Sequence, residues 1–86
     1  MISRQNFERG VTEHLSKFVN TIQVIKDSVT TVIRFDFGML LFDFLSDGSV
    51  ILSEAVFSEF TIMGELYSSD NEGLESLKDL INLYLD

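Results

Sequence analysis

Residues 36–38 read Asp-Phe-Gly, the triplet that in protein kinases holds a catalytic magnesium ion. That chemistry needs a glycine-rich loop over the phosphates, a lysine on a neighbouring strand and a catalytic loop with its own aspartate. The 86-residue chain carries none of these and is far shorter than a kinase domain. Metal ligation is the next chemistry to ask of Asp36, Asp43 and Asp47. An EF-hand loop sets acids at alternate positions around a central glycine and closes with a glutamate at position twelve. Ser46-Asp47-Gly48-Ser49 has one acid beside its glycine and reads as a turn. No cysteine is present, so neither a thiolate site nor a disulfide forms. His14 is the single histidine. It falls half exposed on the flank of a helical stripe, between Val11 and Phe18, with no nucleophile in a recognisable setting. Two carboxylate pairs remain, Asp36 with Glu54 and Asp43 with Glu65. Each is expected to flank one apolar residue on a sheet face, about 9–10 Å apart. An open face does not raise a carboxyl pKa for acid–base work. The sequence therefore predicts no catalytic residue, no metal and no cofactor.

Period and turn residues identify the elements that position these side chains. Phe7, Val11, Leu15, Phe18, Ile22 and Ile25 recur at helical spacing and predict one helix over 3–27. Ser3 suits its N-cap. Gly10, which costs about 1 kcal/mol inside a helix, is expected to loosen the first turns. From Thr30 the period becomes two. Gly38-Met39 predicts a type II′ hairpin that sets Phe37 opposite Leu40, Phe35 opposite Phe42, Ile33 opposite Phe44 and Arg34 opposite Asp43. Asp47-Gly48 predicts a type I′ hairpin with Phe44 opposite Ile51, Phe42 opposite Ser53 and Leu40 opposite Ala55. A third reversal at Ser58-Glu59 pairs Phe57 with Phe60, Ala55 with Ile62 and Ile51 with Leu66. The strands then span 29–37, 40–46, 49–57 and 60–67. A capping box at Ser69–Glu72, with Asp70 as the alternative cap, precedes a second helical stripe of Leu74, Leu77, Ile81 and Tyr84.

The expected fold is α+β, one domain over 1–86. It is a two-layer sandwich in which a four-stranded antiparallel meander carries an N- and a C-terminal helix on one face, in the order α-β-β-β-β-α. In this register all eight Phe residues face the core.

The helices leave the other sheet face uncovered. Its expected rows are Val32, Leu45, Val50, Tyr67; then Arg34, Asp43, Leu52, Glu65; then Asp36, Leu41, Glu54, Met63; Val56 and Thr61 follow. Apolar residues contiguous on an open face, mixed with acids, mark a protein-binding surface. The expected contact set is Val32, Asp36, Leu41, Asp43, Leu45, Val50, Leu52, Glu54, Met63, Glu65 and Tyr67.

Net charge is −8 and uneven: residues 1–34 carry +2 and residues 35–86 carry −10. Phosphate binding needs the opposite sign, so no direct nucleic-acid contact is expected. No apolar run approaches the ~20 residues of a membrane span, and no basic start leads into an apolar stretch. The expectation is a soluble, cytoplasmic protein. In size, acidity and lack of Cys and Pro the chain resembles phage-encoded inhibitors of host defence, the anti-restriction and anti-CRISPR proteins among them. The resemblance implies a host nucleic-acid-handling partner with a basic surface, docked on the acidic-apolar sheet face. The alternative is a self-assembling homodimer of structural, chaperone-like or immunity type.

Overall fold

The computed structural model describes residues 2–86. Helix α1 (Arg4–Leu15) is followed by strands β1 (Ile22–Lys26), β2 (Thr30–Phe35), β3 (Gly38–Phe44), β4 (Ser49–Phe57) and β5 (Phe60–Ser68), and by helix α2 (Asn71–Leu85). The strands form one antiparallel meander in sequence order. The α+β class and the two terminal helices agree with expectation, but the sheet has five strands rather than four.

The extra strand comes from the second half of the expected first helix. Ser3 caps α1 by accepting a hydrogen bond from the Asn6 amide, and the helix runs unbroken past Gly10, beside which Leu74 of α2 packs. It ends at Leu15. Thr21, Ile22, Val24 and Ile25 are β-branched, which stiffens χ1 against a helix and suits a pleated surface. The Asp27 carboxylate then accepts from the Val29 and Thr30 amides and turns the chain into β2.

Hairpin β2–β3 also differs from expectation. Phe35 pairs with Gly38, Arg34 with Met39 and Ile33 with Leu40, so Asp36-Phe37 is the two-residue turn. Gly38 is required by crowding rather than by the turn: a Cβ there would lie 1.9 Å from the Val56 carbonyl oxygen. Asp36 accepts hydrogen bonds from the Asn20 and Thr21 amides at 3.0 and 2.7 Å, fastening this turn to the segment ahead of β1. The Thr21 hydroxyl, more than the two amides, holds the Asp36 carboxyl below its ordinary range. Between β3 and β4 the connection is Leu45–Gly48 rather than two residues. The Gly48 amide donates to the Leu45 carbonyl and Gly48 takes a positive φ.

The largest departure lies within β4. Pairing of Leu40 with Ala55 is as expected, but the β3–β4 register shifts between Leu41 and Phe42, so Phe42 meets Leu52 and Phe44 meets Val50. Ser53 is the additional residue of a β-bulge, and such a residue reverses the in–out phase beyond it. Val50, Leu52, Ala55 and Phe57 consequently share the buried face. Strand β5 follows β4 without a change of pairing, with Phe57 opposite Phe60, Ala55 opposite Ile62 and Ile51 opposite Leu66 as expected. It changes phase at the same level through Gly64, whose φ is +77°.

Both helices cover the face formed by Ile33, Phe35, Leu40, Phe42, Val50, Leu52, Ala55 and Phe57. Phe7 of α1 meets Phe42 and Phe44 edge-on, each at 6.0 Å. Tyr84 of α2 stacks on Phe57 at 5.0 Å. Leu74, Leu77 and Ile81 form the buried stripe of α2, and Asp70 caps it through the Gly73 amide. Not every phenylalanine is in the core: Phe37 projects from its turn 45% exposed and Phe60 is 61% exposed on the edge strand. Neither helix is long and apolar enough to cross a membrane.

A buried polar cluster ties α1 to hairpin β1–β2. Glu8 bonds Arg4 at 3.3 Å, Lys26 at 3.0 Å and the Thr31 hydroxyl. Arg4 also donates to the carbonyls of Asp27, Ser28 and Thr30, and lies over the Phe44 ring at 4.8 Å. Burial pushes the Glu8 carboxyl up, but the Thr31 hydroxyl, Lys26 and Arg4 together outweigh it and hold it below the ordinary range.

Candidate protein-binding face

With both helices on one side of the sheet, the opposite face has no cover within the chain. Strand pairing builds it in three rows. The central row is Ile25, Val32, Leu41, Glu54 and Met63, one residue from each strand. On one side lie Gln23, Arg34, Met39, Val56 and Thr61. On the other lie Thr30, Asp43, Ile51 and Leu66. Apart from the exposed Arg34, the middle strands leave these side chains half-buried among their neighbours, while the edges stand out: Ile25 is 47%, Leu66 67% and Met63 69% exposed.

Five of the expected contact residues meet here: Val32, Leu41, Glu54 and Met63 in the central row, and Asp43 beside it. The rest lie elsewhere. The bulge turns Val50 and Leu52 inward, where both are fully buried. Tyr67 pairs with Val50 and Glu65 with Leu52, so both sit on the helix side of β5. Burial, with the Glu65 charge next to it, pushes the Tyr67 hydroxyl pKa up. Asp36 belongs to the β2–β3 turn, and Leu45 is exposed in the loop after β3. Arg34 is opposite Met39, not Asp43.

Ile25, Met39, Ile51 and Leu66 also belong to the face and lie outside its expected rows, whereas Val56 is on the face as expected. Two sequence signals mark Ile51 and Leu66. The spacing of Val50, Leu52, Ala55 and Phe57, with one step of three, is the trace of a bulge. Gly64 inside a strand run points to the same level.

The face offers binding chemistry rather than catalysis. Asp43 accepts from the Thr30 hydroxyl at 2.8 Å and from Ser53, which occupies its carboxylate. The expected carboxylate pairs are not formed: Val32 and Glu54 flank Leu41, while Phe42 and Glu65 flank Leu52. His14 lies on the far side of the molecule in α1, its Nε2 2.7 Å from Asn82 Oδ1 and its ring edge-on to Phe18. Among the described residues no group of three His, Cys, Asp or Glu side chains is placed to hold a metal. Much of the acidity sits away from this face: Asp47 closes the turn before β4, Asp70 caps α2, and Glu72, Glu75 and Asp79 line the exposed side of α2. Comparison with protein-family models, curated proteins and solved structures finds no match to this chain.

Proposed function

We propose that the chain is a non-catalytic protein-binding module that docks through the outer face of its sheet. One observation carries this reading. Ile25, Val32, Leu41 and Met63 form an apolar row from four of the five strands, interrupted only by Glu54 of β4 and bracketed by Met39 and Val56 on one side and Ile51 and Leu66 on the other. Contiguous apolar surface of this extent is uncommon on monomers and marks interaction sites. Its charges are few and of both signs, Arg34 against Asp43 and Glu54. Apolar burial, rather than attraction to a strongly basic surface, therefore supplies most of the drive in this reading.

Site-specific photocrosslinking in the native cell tests the reading. A benzophenone side chain at Met39 is expected to yield a defined protein adduct that the added substitution Leu41→Glu abolishes, whereas the same group at Glu75 on α2 yields none. No adduct from position 39, or equal yields from both positions, refutes docking through this face.

A further inference from the structure

We infer that the occupant of this face is a second copy of the chain, packed sheet on sheet about a two-fold axis running along β3. The inference rests on the binding-face reading above and names the partner. Three observations converge on it.

The first is charge. Arg34 in β2 and Glu54 in β4 lie on opposite sides of the central strand, one row apart. Two strand spacings across the sheet and one row along it, about 12 Å in all, separate them, too far to pair within one chain. Neither makes an ion pair among the described residues. An axis along β3 lays β2 of one copy over β4 of the other. Each Arg34 then approaches the partner copy's Glu54, twice per dimer. A surface bearing its own complement on the other side of its midline is what an isologous interface requires.

Shape is the second. With β3 as the third of five strands, the same axis places β1 over β5, so the exposed Ile25 of one copy approaches the exposed Met63 of the other. Stacked sheets sit about 10 Å apart and interdigitate large apolar side chains of this kind.

Area is the third. The molecule measures 31 × 24 × 21 Å. A five-stranded face about 20 by 25 Å covers roughly 500 Å² per copy, or about 1,000 Å² in the pair, the level at which specific interfaces begin.

The test is sedimentation equilibrium of the full chain from micromolar to millimolar concentration, with far-UV circular dichroism to confirm folding. Wild type is expected to be dimeric, with Leu41→Glu raising the dissociation constant at least ~30-fold. Arg34→Glu and Glu54→Arg are surface changes that set like charges against each other at both symmetric contacts, and each is expected to weaken its own homodimer ~10-fold. Mixing these two variants restores both opposite-charge contacts, so a heterodimer within about threefold of wild-type affinity is expected. A wild type monomeric throughout, a folded Leu41→Glu variant that dimerises normally, or a mixture no tighter than its components would each overturn the inference. The photocrosslink separates this failure from failure of the parent reading. An adduct at twice the 9.8 kDa chain mass supports self-pairing. A heterologous adduct overturns self-pairing alone, and no adduct overturns both.

Discussion

Leu52→Ala and Ile51→Ala, made singly, measure the phase of β4 directly. Uninterrupted alternation would turn Ile51 inward and Leu52 outward. The bulge at Ser53 does the reverse: Leu52 is fully buried opposite Phe42, while Ile51 is half-exposed on the outer face. Truncating leucine to alanine removes three carbons, and at ~0.8 kcal/mol for each buried methylene-sized group the transfer loss is ~2.5 kcal/mol. A residual cavity of ~50 Å³ adds about 1 kcal/mol at ~24 cal/mol per Å³. Leu52→Ala should therefore cost about 3–4 kcal/mol, a large part of the 4–13 kcal/mol to be expected of a chain this size at roughly 0.05–0.15 kcal/mol per residue. Ile51→Ala loses only partial burial and should cost about 1 kcal/mol or less. Urea denaturation followed by circular dichroism, at one protein concentration, gives both values. Costs of the reverse order, with Ile51→Ala the more damaging, would refute the bulge and with it the composition of the outer face.

Two further outcomes follow from local geometry. Gly38→Ala drives a methyl group against the Val56 carbonyl oxygen across the β3–β4 ladder, so a loss of at least ~2 kcal/mol is expected in the same denaturation assay; a neutral result would show that the close approach does not exist. Acid should destabilise the fold. Glu8, Asp27, Asp36, Asp47 and Asp70 all have carboxyl pKa values held below their ordinary range. The unfolded chain thus binds more protons in the window between the folded and the ordinary carboxyl values. The contribution of these groups is complete above about pH 5 and is lost as pH falls through the folded values. Thermal unfolding from pH 7 to pH 2 should show a midpoint that drops below about pH 4, with a smaller drop for Glu8→Gln; a flat profile would contradict the hydrogen bonding described.

What the sequence discloses depends on whether a mistake changes parity. The β2–β3 turn lies two residues earlier than Gly38-Met39 predicts. A two-residue slide preserves the alternation, so Ile33, Phe35, Leu40 and Phe42 are inward in both registers while every cross-strand partner changes. The bulge is different: one extra residue moves Val50, Leu52, Ile51 and Leu66 to the opposite faces, which corrupts the binding face although the β4–β5 pairing itself is legible. The expected helix runs past Leu15, where α1 ends, because Phe18, Ile22 and Ile25 satisfy a helical period by coincidence. Their β-branched neighbours favour a strand, and the pairing with β2 and the hydrogen bonds of Asp27 and Asp36 to the surrounding backbone hold it as one. Of the polar cluster around Glu8 only the Arg4–Glu8 pair at i,i+4 is local; Lys26 and Thr31 come from two other elements and are brought to it by the fold.

The distribution of exposed backbone bears on which surface associates. A meander has two open edges, and an unpaired edge recruits strands unless it is guarded. Here β1 is five residues long, and Lys26 holds Glu8 across its end. Strand β5 is nine residues long, but Gly64 near its middle takes a left-handed φ that makes its outer edge irregular. Both are devices that discourage strand addition without covering apolar side chains. The broad face between them carries no comparable guard: its central row sets a single charge among four apolar residues. A sheet selected only to remain monomeric would be expected to blunt its face as well as its edges, since Met63 is 69% exposed and Leu41 faces away from the core. Guarded edges around an unguarded face are what a protein needs when it must associate in one geometry, sheet against sheet, and must not grow sideways into a continuous ribbon.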